Sequence, residues 1–548
     1  MTSAPDLIIT GATLEPMTDA PAKADGVAVR DGRIAAVGRL DDLRALAGPA
    51  TRLVELNGET LLPGFGDAHI HAISGGLLFA RCDLNDLSDA DEYLAEVVRY
   101  AAANTERIWI EGAGWAMPAF RAGNPRREAL DSAFPDRPVF LESRDGHSAW
   151  VNGPALAAAG IGADTPDPPD GRVERDADGT PAGTLHEGAV ELVRRVLPQP
   201  GPDDLAEALS AAQRHLHALG VTAWQDAYVP AADLAAYRAA AESGALTARV
   251  VAAQAWDTSR GLEQIEELAA RRDATLAHPD RLHADSVKFF VDGIIENGTA
   301  LMTEPYLSLM GERTANRGIP MVDPETLRAA VIELDRIGFQ CHFHAIGDGG
   351  VRLALDCVEA ARAANGASDH RHHIAHLEVI HPDDIGRFAS LGVVANIQPI
   401  WATYDRQMLD LRIPVLGPNR IGWQFSFASL ERAGARLAGG SDWTVSTPNP
   451  LLEVEAAMSR VAADDRGGEP FLPAQRLSLD AALRAYTIGA AFVNHRDREC
   501  GTIEVGKVAD LVILDRDIRG DPERPVGEAR VLATYMQGEE VYHAPIGW

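Results

Sequence analysis

Short apolar runs alternate with amphipathic stretches through the central part of the chain. The apolar runs are LLPGFGDAHIHA (61–72), VTAWQDAY (221–228), ARVVAAQAW (248–256), SVKFFVDG (286–293), FQCHFHAIGD (339–348), HHIAHLEVI (372–380), GVVANIQP (392–399) and ARLAGGSDW (435–443). Stretches between them, such as PETLRAAVIELDRIG, space their apolar residues three to four positions apart and end in Leu-Gly or Ile-Gly, which is typical of helices. Eight strands that alternate with helices predict a (β/α)8 barrel.

The two ends of the chain follow a different pattern. Short strand-like runs separated by turns fill residues 1–62, and the Asp31-Gly32 pair between alternating apolar residues indicates a β-hairpin. A similar pattern returns in GTIEVGKVADLVILDRD and EARVLATYMQGEEVYH near the far end. We therefore predict that residues 1–62 and 496–548 build one small β-sandwich, and that the barrel of residues 63–495 is inserted between its halves.

One segment, at about residues 80–200, interrupts the alternation after the first barrel strand. It contains two further strand-like runs, RIWIEGAGW and RPVFLESRDGHSAWVN, and the Pro/Asp-rich stretch ADTPDPPDGRVERDADGTP. Loops at a barrel mouth shape substrate pockets. We predict a large insertion over the mouth that covers an apolar pocket suited to a bulky organic substrate.

Composition and charge narrow the class of protein. Of the 548 residues, 46% are hydrophobic and 24% are charged, which is ordinary for a globular chain with a large core. The net charge of −30 argues against binding to nucleic acid or to an anionic membrane, since both need clustered Lys and Arg. The sequence has no signal-peptide pattern, no membrane-spanning apolar run and no C-x-x-C pair. We expect a soluble cytoplasmic protein.

Polar residues that bind metals stand where the predicted barrel strands end. In this fold the active site lies at the C-terminal ends of the strands. Those ends carry His69 and His71 on the first strand, Lys288 on the fourth, His344 on the fifth, His376 on the sixth and Asp442 on the eighth. Imidazole and carboxylate ligands suit Zn²⁺, Mn²⁺ or Fe²⁺ better than Ca²⁺. The pattern predicts a metal centre at this rim.

Two of these assignments have competitors within the same strand. His342 precedes His344 by two residues and shares its strand face, so alternation alone does not choose between them. His372 and His373 precede His376, and periodicity does not separate His372 from His376. Both alternatives stay open at the level of spacing.

Several of these motifs together resemble a known family. PGFGDAHIH, VKFFVDG, HAIGD, the strand of His376 and GGSDW are similar to motifs of the amidohydrolase superfamily, in particular the branch of YtcJ-like proteins and N-substituted formamide deformylases. The resemblance covers nearly the whole chain, including both sandwich halves and the motif GHSAWVNGPAL in the insertion. HAIGD matches the family motif at His344, and the family's next histidine stands where His376 does.

The resemblance implies a centre of one or two divalent metals, with zinc expected and manganese or iron as alternatives. His69 and His71 would bind the more buried metal. Lys288, if N6-carboxylated, would bridge it to a second metal held by His344 and His376. Asp442 would meet the bridging hydroxide. If Lys288 is instead a plain ammonium, it orients the substrate and the centre holds a single metal.

The resemblance also implies a hydrolase that cleaves a non-peptide C–N bond of a small-molecule amide or formamide. Metal-bound hydroxide would attack the carbonyl, and Asp442 would move the proton to the departing nitrogen. His147 is a second catalytic candidate, because it could hydrogen-bond the substrate or the oxyanion. Cyclic-amide opening, deamination, and ester or lactone hydrolysis are alternatives for the same site, and a non-catalytic scaffold is the least expected. A homodimer is expected from the resemblance alone.

Other residues are weaker candidates for the surroundings of the centre. Glu187 and Gln398 match polar positions of the family. Four tryptophans stand near strand ends or in the insertion, and one or two of them are candidates for a pocket wall: Trp115, Trp150, Trp401 and Trp443. Large aromatic residues near a barrel mouth more often serve in packing.

Overall fold

The computed structural model describes residues 4–19, 24–520 and 524–545 of the chain. Its strands, in chain order, are β1 (Leu7–Thr10), β2 (Thr13–Leu14), β3 (Gly26–Arg30), β4 (Arg33–Gly38), β5 (Arg52–Glu55), β6 (Thr60–Pro63), β7 (Phe65–Ile70), β8 (Cys82–Asp83), β9 (Ile110–Trp115), β10 (Val139–Ser143), β11 (Ser148–Val151), β12 (Gly171–Arg175), β13 (Pro181–Glu187), β14 (Val221–Val229), β15 (Arg249–Ala255), β16 (Leu282–Phe290), β17 (Gln340–Ala345), β18 (His373–His376), β19 (Val394–Ile397), β20 (Leu437–Gly439), β21 (Leu511–Leu514), β22 (Val531–Met536) and β23 (Glu539–His543).

The α-helices, in the same order, are α1 (Leu40–Arg44), α2 (Ala72–Leu78), α3 (Ala90–Ala103), α4 (Arg127–Ala133), α5 (Gly153–Ala158), α6 (Glu191–Arg194), α7 (Pro202–Ala218), α8 (Ala231–Ser243), α9 (Ile265–Asp273), α10 (Pro324–Arg336), α11 (Asp348–Asn365), α12 (Pro382–Leu391), α13 (Ile413–Leu416), α14 (Pro418–Ile421), α15 (Phe427–Arg432), α16 (Pro450–Ser459), α17 (Leu479–Arg484) and α18 (Ala490–Val493). Two π-helical turns, Met408–Arg412 and Ala485–Gly489, adjoin them. Among the described residues, no helix combines the length and the apolar character needed to cross a bilayer.

Eight parallel strands form the central barrel. β7 and β14 to β20 pair in the order β20-β19-β18-β17-β16-β15-β14-β7. The two ends of this sheet meet where the amide of Asp442 donates to the carbonyl of His69 at 2.7 Å. The side-chain amide of Asn396 on β19 also donates to the carbonyl of Ala68 on β7, at 2.8 Å. The predicted (β/α)8 barrel is confirmed as a nearly closed cylinder.

Helices between the strands bury one apolar face each, as their periodicity predicts. In α10, Leu327, Val331 and Leu334 are buried against the barrel. The Asp323 side chain accepts from the amide of Thr326 and so caps the first turn. After α10 the chain turns at Gly338, whose φ of +85° lies in the left-handed region that glycine tolerates best.

The β-sandwich draws its strands from both ends of the chain. One sheet has the order β4-β3-β1-β5, and the other has the order β2-β6-β21-β22-β23. Leu61 on β6 pairs with Ile513 on β21. The predicted turn at Asp31-Gly32 joins β3 to β4 with φ angles of +51° and +71°, the geometry of a type I′ hairpin.

The segment after β7 forms its own sheet over the barrel mouth. Its six strands have the order β12-β13-β11-β10-β9-β8. The apolar cluster beneath this sheet includes Ile294, Ile346 and Val379, which follow β16, β17 and β18. Because these residues lie just beyond the C-terminal ends of barrel strands, the inserted sheet rests on the end of the barrel where the candidate ligands stand.

Candidate metal centre

A carboxylate and two imidazoles meet at the C-terminal rim of the barrel. Asp442 Oδ1 lies 3.0 Å from His71 Nε2 and 3.4 Å from His69 Nε2. One ligand atom from each residue falls within 4.8 Å of the others. Two imidazole nitrogens around one carboxylate oxygen are a donor set typical of zinc and related metals.

Backbone contacts between the first and last barrel strands hold these three residues. β7 ends at Ile70, so His71 lies one residue beyond the strand, at the start of α2. Its amide donates to the carbonyl of Trp443 at 2.7 Å. Asp67 Oδ1 accepts from the amides of His69, at 3.0 Å, and Ser441, at 3.1 Å. Asp67 therefore holds the backbone behind the two histidines.

The other three predicted ligands converge on the same place. Lys288 Nζ lies 3.5 Å from His69 Nε2. The His376 ring lies 4.7 Å from that of His69 and 4.5 Å from that of His344. Its Nδ1 lies 3.8 Å from Asp442 Oδ2. The structure therefore brings all six residues predicted from the strand ends to one rim.

Unusual backbone angles aim two of these side chains. β18 ends at His376 with a φ of +79°, and β20 ends at Gly439, so Asp442 lies in the following loop with a φ of +54°. Non-glycine residues rarely adopt this left-handed region, and such positions cluster at functional sites. The predicted strands are therefore too long at these two ends, because the chain turns there to direct a side chain inward.

Burial sets the protonation of the imidazoles. It lowers the pKa of His69 to about 3, with Lys288 adding to the effect, and it lowers the pKa values of His344 and His376 well below the ordinary value. Burial also lowers the pKa of Lys288 to about 7. Neutral imidazoles keep the lone pair that a metal requires. In contrast, burial would raise the pKa of Asp442, but the neighbouring imidazoles hold it well below its usual range.

Unpaired buried atoms test whether a metal fits here. Among the described residues, His376 Nδ1 is buried without a hydrogen-bond partner, and Asp442 Oδ1, although 3.0 Å from His71 Nε2, lacks the geometry of a hydrogen bond. Such a group costs about 1–3 kcal/mol when it is left unsatisfied. His344 turns Nδ1 towards Asp292 Oδ1, at 3.5 Å, which is the carboxylate-facing orientation common in metal-bound histidines. The residues present fit a divalent metal.

The competing histidines lie away from the rim. His342 lies deeper in the barrel, with Nε2 2.8 Å from His69 Nδ1. The ring of His373 lies 3.9 Å from that of His342, with the planes tilted by 38°. Both nitrogens of His372 are engaged, since Nδ1 accepts from the Cys341 amide and Nε2 lies 3.1 Å from Asp335 Oδ1. His344 and His376 are the members of their groups that reach the rim.

The insertion contributes a charged pair beside the centre. His147 Nδ1 lies 2.7 Å from Glu187 Oε2, and the His147 ring lies 5.1 Å from that of His344. Burial alone would lower the pKa of His147, but the Glu187 charge and hydrogen bond raise it to about 9. Glu187 Oε1 also accepts from Thr299 Oγ1 at 2.7 Å and Asn297 Nδ2 at 3.1 Å. His147 is therefore held as an imidazolium at neutral pH.

Aromatic side chains flank the centre on two sides. Trp401 stacks on His376 with centroids 5.2 Å apart and planes at 11°. On the other side, the Phe290 ring lies 5.2 Å from His344 and 5.7 Å from Tyr228. Sequence reasoning missed Phe290 and Tyr228. Phe290 follows Lys288 by two residues, so strand alternation was a signal that could have placed it on the same face.

Gln398 and Trp401 lie at the centre, and the other three tryptophans pack elsewhere. Gln398 Oε1 accepts from the His376 amide at 2.8 Å, and Trp401 lies at the centre. Trp115 and Trp150 are buried within the inserted domain. Trp443 packs its ring on Gly75 of α2. Of the four tryptophans, Trp401 is the one that stacks on a candidate ligand.

Known proteins match this chain over almost its full length. A family model described as "Amidohydrolase family" matches residues 52–542. The chain is 32% identical to Protein LONG AFTER FAR-RED 3 of Arabidopsis thaliana, over 98% of this chain and 91% of that protein. It is 29% identical to the putative amidohydrolase YtcJ of Bacillus subtilis, over 95% of this chain and 96% of that protein. It is 28% identical to the N-substituted formamide deformylase of Arthrobacter pascens, over 98% of both chains.

A solved structure is similar as well. The crystal structure of an uncharacterized metal-dependent hydrolase from Pyrococcus furiosus superposes with a TM-score of 0.71 at 25% identity. The match covers 93% of this chain and 99% of that one. The inserted domain and the sandwich therefore belong to the shared architecture together with the barrel.

Proposed function

This chain belongs to the amidohydrolase family, and from that premise we propose that the protein hydrolyses a non-peptide C–N bond of a small-molecule amide or formamide. The family predicted from the sequence motifs is confirmed. The observation that carries the proposal is the meeting of Asp442 with His69 and His71 at the barrel rim. The similarity to an N-substituted formamide deformylase over 98% of both chains supports the choice of bond.

We assign the metal to residues of this rim. His69, His71 and Asp442 would hold a divalent metal, with zinc favoured by the nitrogen and oxygen donors. When bound, such a metal polarises a substrate carbonyl and lowers the pKa of water. Among the described residues, no carboxylate lies within ion-pair distance of Lys288, which is 1% exposed. An N6-carboxylated Lys288, together with His344 and His376, would supply the ligands for a second metal.

The chain's own residues would move the proton. Asp442 is ionised, and its two oxygens face His71 on one side and His376 on the other. A carboxylate in this place would accept a proton from the attacking water and deliver it to the departing nitrogen. This role makes Asp442 the general base and then the general acid of the proposed reaction.

The flanking aromatic residues suggest the substrate class. Phe290, Tyr228 and Trp401 present apolar ring surface next to the candidate ligands, and Tyr228 is 41% exposed. We propose a bulky organic amide with an N-aryl or N-alkyl group in preference to a small charged one. A panel of amides of both kinds, with cyclic amides, amines and esters added, would test the assignment through kcat/KM. A strong preference for small charged amides, or for esters, would contradict it.

Metal analysis is the first test of the proposed function. On protein purified without added metal, elemental mass spectrometry should find zinc, manganese or iron, and removal by a chelator should abolish amide hydrolysis until metal is restored. Close to two equivalents per chain would support the binuclear centre with modified Lys288, and one equivalent would support a mononuclear one. A protein that holds no metal and takes none up on reconstitution would contradict the hydrolase proposal.

A second prediction concerns His147. Because Glu187 holds it as an imidazolium beside His344, it can donate a hydrogen bond to a substrate oxygen that gains negative charge. Losing one such donor costs about 10²–10³ in kcat. We expect His147→Phe, which keeps the ring and removes the donor, to lose activity in this range and to keep its metal, as measured by steady-state kinetics and elemental analysis. His283→Phe is the matched control, since His283 lies near the opposite end of β16. Equal activity of the two variants would exclude His147 from the reaction.

A further inference from the structure

A second histidine stands directly behind one of the candidate ligands. His342 Nε2 lies 2.8 Å from His69 Nδ1, and the two rings meet edge to face at 4.7 Å. His69 is 1% exposed and His342 is fully buried. Starting from the metal centre of the proposed function, we infer that His342 is a positioning residue, which accepts the Nδ1–H of His69 and thereby leaves His69 Nε2 free to bind the metal.

The direction of this hydrogen bond follows from how many protons a neutral imidazole carries. His69 has one ring proton, which stands on either Nδ1 or Nε2. His69 Nε2 faces Asp442 Oδ1, at 3.4 Å, and Lys288 Nζ, at 3.5 Å, so it is the nitrogen turned to the centre. Metal binding at Nε2 requires the proton on Nδ1, and His342 Nε2 is the acceptor within reach. Metal-bound histidines commonly donate their second ring N–H in this way, and the acceptor fixes the orientation of the ligand ring and raises its basicity.

His342 is itself held in a polar layer that crosses the barrel interior. Its ring lies 3.9 Å from that of His373, with the planes tilted by 38°, and His373 Nδ1 accepts from Asn396 Nδ2 at 3.2 Å. Asn396 also donates to the carbonyl of Ala68, the residue before His69. The Asn396 Oδ1 atom accepts from Gln398, whose other side-chain atom accepts from the amide of His376. The layer therefore links the strands that carry two of the candidate ligands.

Packing alone does not account for imidazoles in this layer. Among the described residues, His342 Nδ1 and His373 Nε2 are buried without a hydrogen-bond partner. Each such atom is a cost that an apolar side chain of similar size would avoid. A requirement for an acceptor at His69 Nδ1 explains why a histidine, and not an apolar residue, occupies position 342.

The test is zinc affinity, measured by competition with a chromogenic chelator. His342→Phe keeps the ring volume and removes the acceptor, so we expect zinc to bind about 10- to 100-fold more weakly. His342→Gln supplies an amide oxygen and should recover most of the affinity. His217→Phe is the matched control, because His217 is also a buried histidine but lies on α7 and bonds the Val221 carbonyl and Thr247, so its loss should leave the zinc affinity unchanged. Circular dichroism and thermal unfolding of the metal-free proteins check that each variant folds.

Each outcome decides the inference. Wild-type affinity in a folded His342→Phe variant would overturn it, and so would an equal loss in His217→Phe and His342→Phe. If His342→Phe does not fold, nitrogen-15 NMR of the histidine rings in the zinc-loaded wild type decides, because a His69 ring without a proton on Nδ1 would overturn the inference. Failure of the wild type to bind zinc would instead refute the metal centre itself, which keeps the two results distinct.

Discussion

Asp442→Asn should reduce kcat on any amide that the wild type hydrolyses by about 10²–10⁴-fold, the usual contribution of a general acid–base group. An asparagine fills the same space but cannot take the proton of the attacking water. His69, His71 and His376 remain around the position, so most of the metal should stay bound. Turnover and metal content measured on the same sample separate the two effects.

Asp335→Asn provides the matched control for this experiment. Asp335 is also a buried carboxylate beside a histidine, His372, but it lies away from the rim on α10. We expect this variant to keep wild-type kcat. If the activity of Asp442→Asn falls only in proportion to the metal lost, Asp442 acts as a ligand and the proposed proton transfer is wrong.

Arg412→Ala should destabilise the protein by about 3–5 kcal/mol, because it strands two buried carboxylates. The Arg412 guanidinium bonds Glu296 through Nε and lies 3.1 Å from Glu378 Oε2 through Nη1. The side chains of Glu296 and Glu378 are each 1% exposed. Denaturant unfolding should show the change as a lower free energy of unfolding at similar m-value.

The neighbouring Arg406→Ala variant tests whether burial is the cause. The Arg406 side chain is 69% exposed and pairs with Asp410 at 3.7 Å, so its loss should change stability by less than about 1 kcal/mol. Replacing Arg412, Glu296 and Glu378 together by apolar residues should recover much of the stability, since no unpaired charge remains. Equal losses in Arg406→Ala and Arg412→Ala would contradict the explanation.

The parts of this molecule that could be predicted from sequence are those set by local periodicity. Apolar runs and helical spacing give the eight barrel strands and their helices, because strands such as β7 and β17 are buried on both faces while each helix buries one. The turn at Asp31-Gly32 is equally local, since two successive positive φ angles favour these residues. The candidate ligands were predictable for the same reason, because parallel strands bring their C-terminal ends to one rim.

Contacts between distant parts of the chain were not predictable in this way. The bond between His342 and His69 exists only when β7 and β17 lie across the closed barrel from each other. Likewise, the backbone of Asp442 leaves β20 before the residue is reached, and its position depends on a bond to His69 that no spacing rule encodes. The sequence does not separate Trp401 from Trp115 and Trp150. The structure does, because Trp401 stacks on His376 while the other two are buried within the insertion.

The pairing of β6 with β21 dictates an order of events during synthesis. Leu61 leaves the ribosome long before its partner Ile513, with the whole barrel made in between. At 5–20 residues per second, this wait lasts on the order of tens of seconds. Throughout it, the apolar Thr60–Pro63 strand has an unpaired edge of the kind at which polypeptides aggregate and chaperones bind. The sheet that joins the two ends of the molecule is therefore among the last parts of each new protein to be completed.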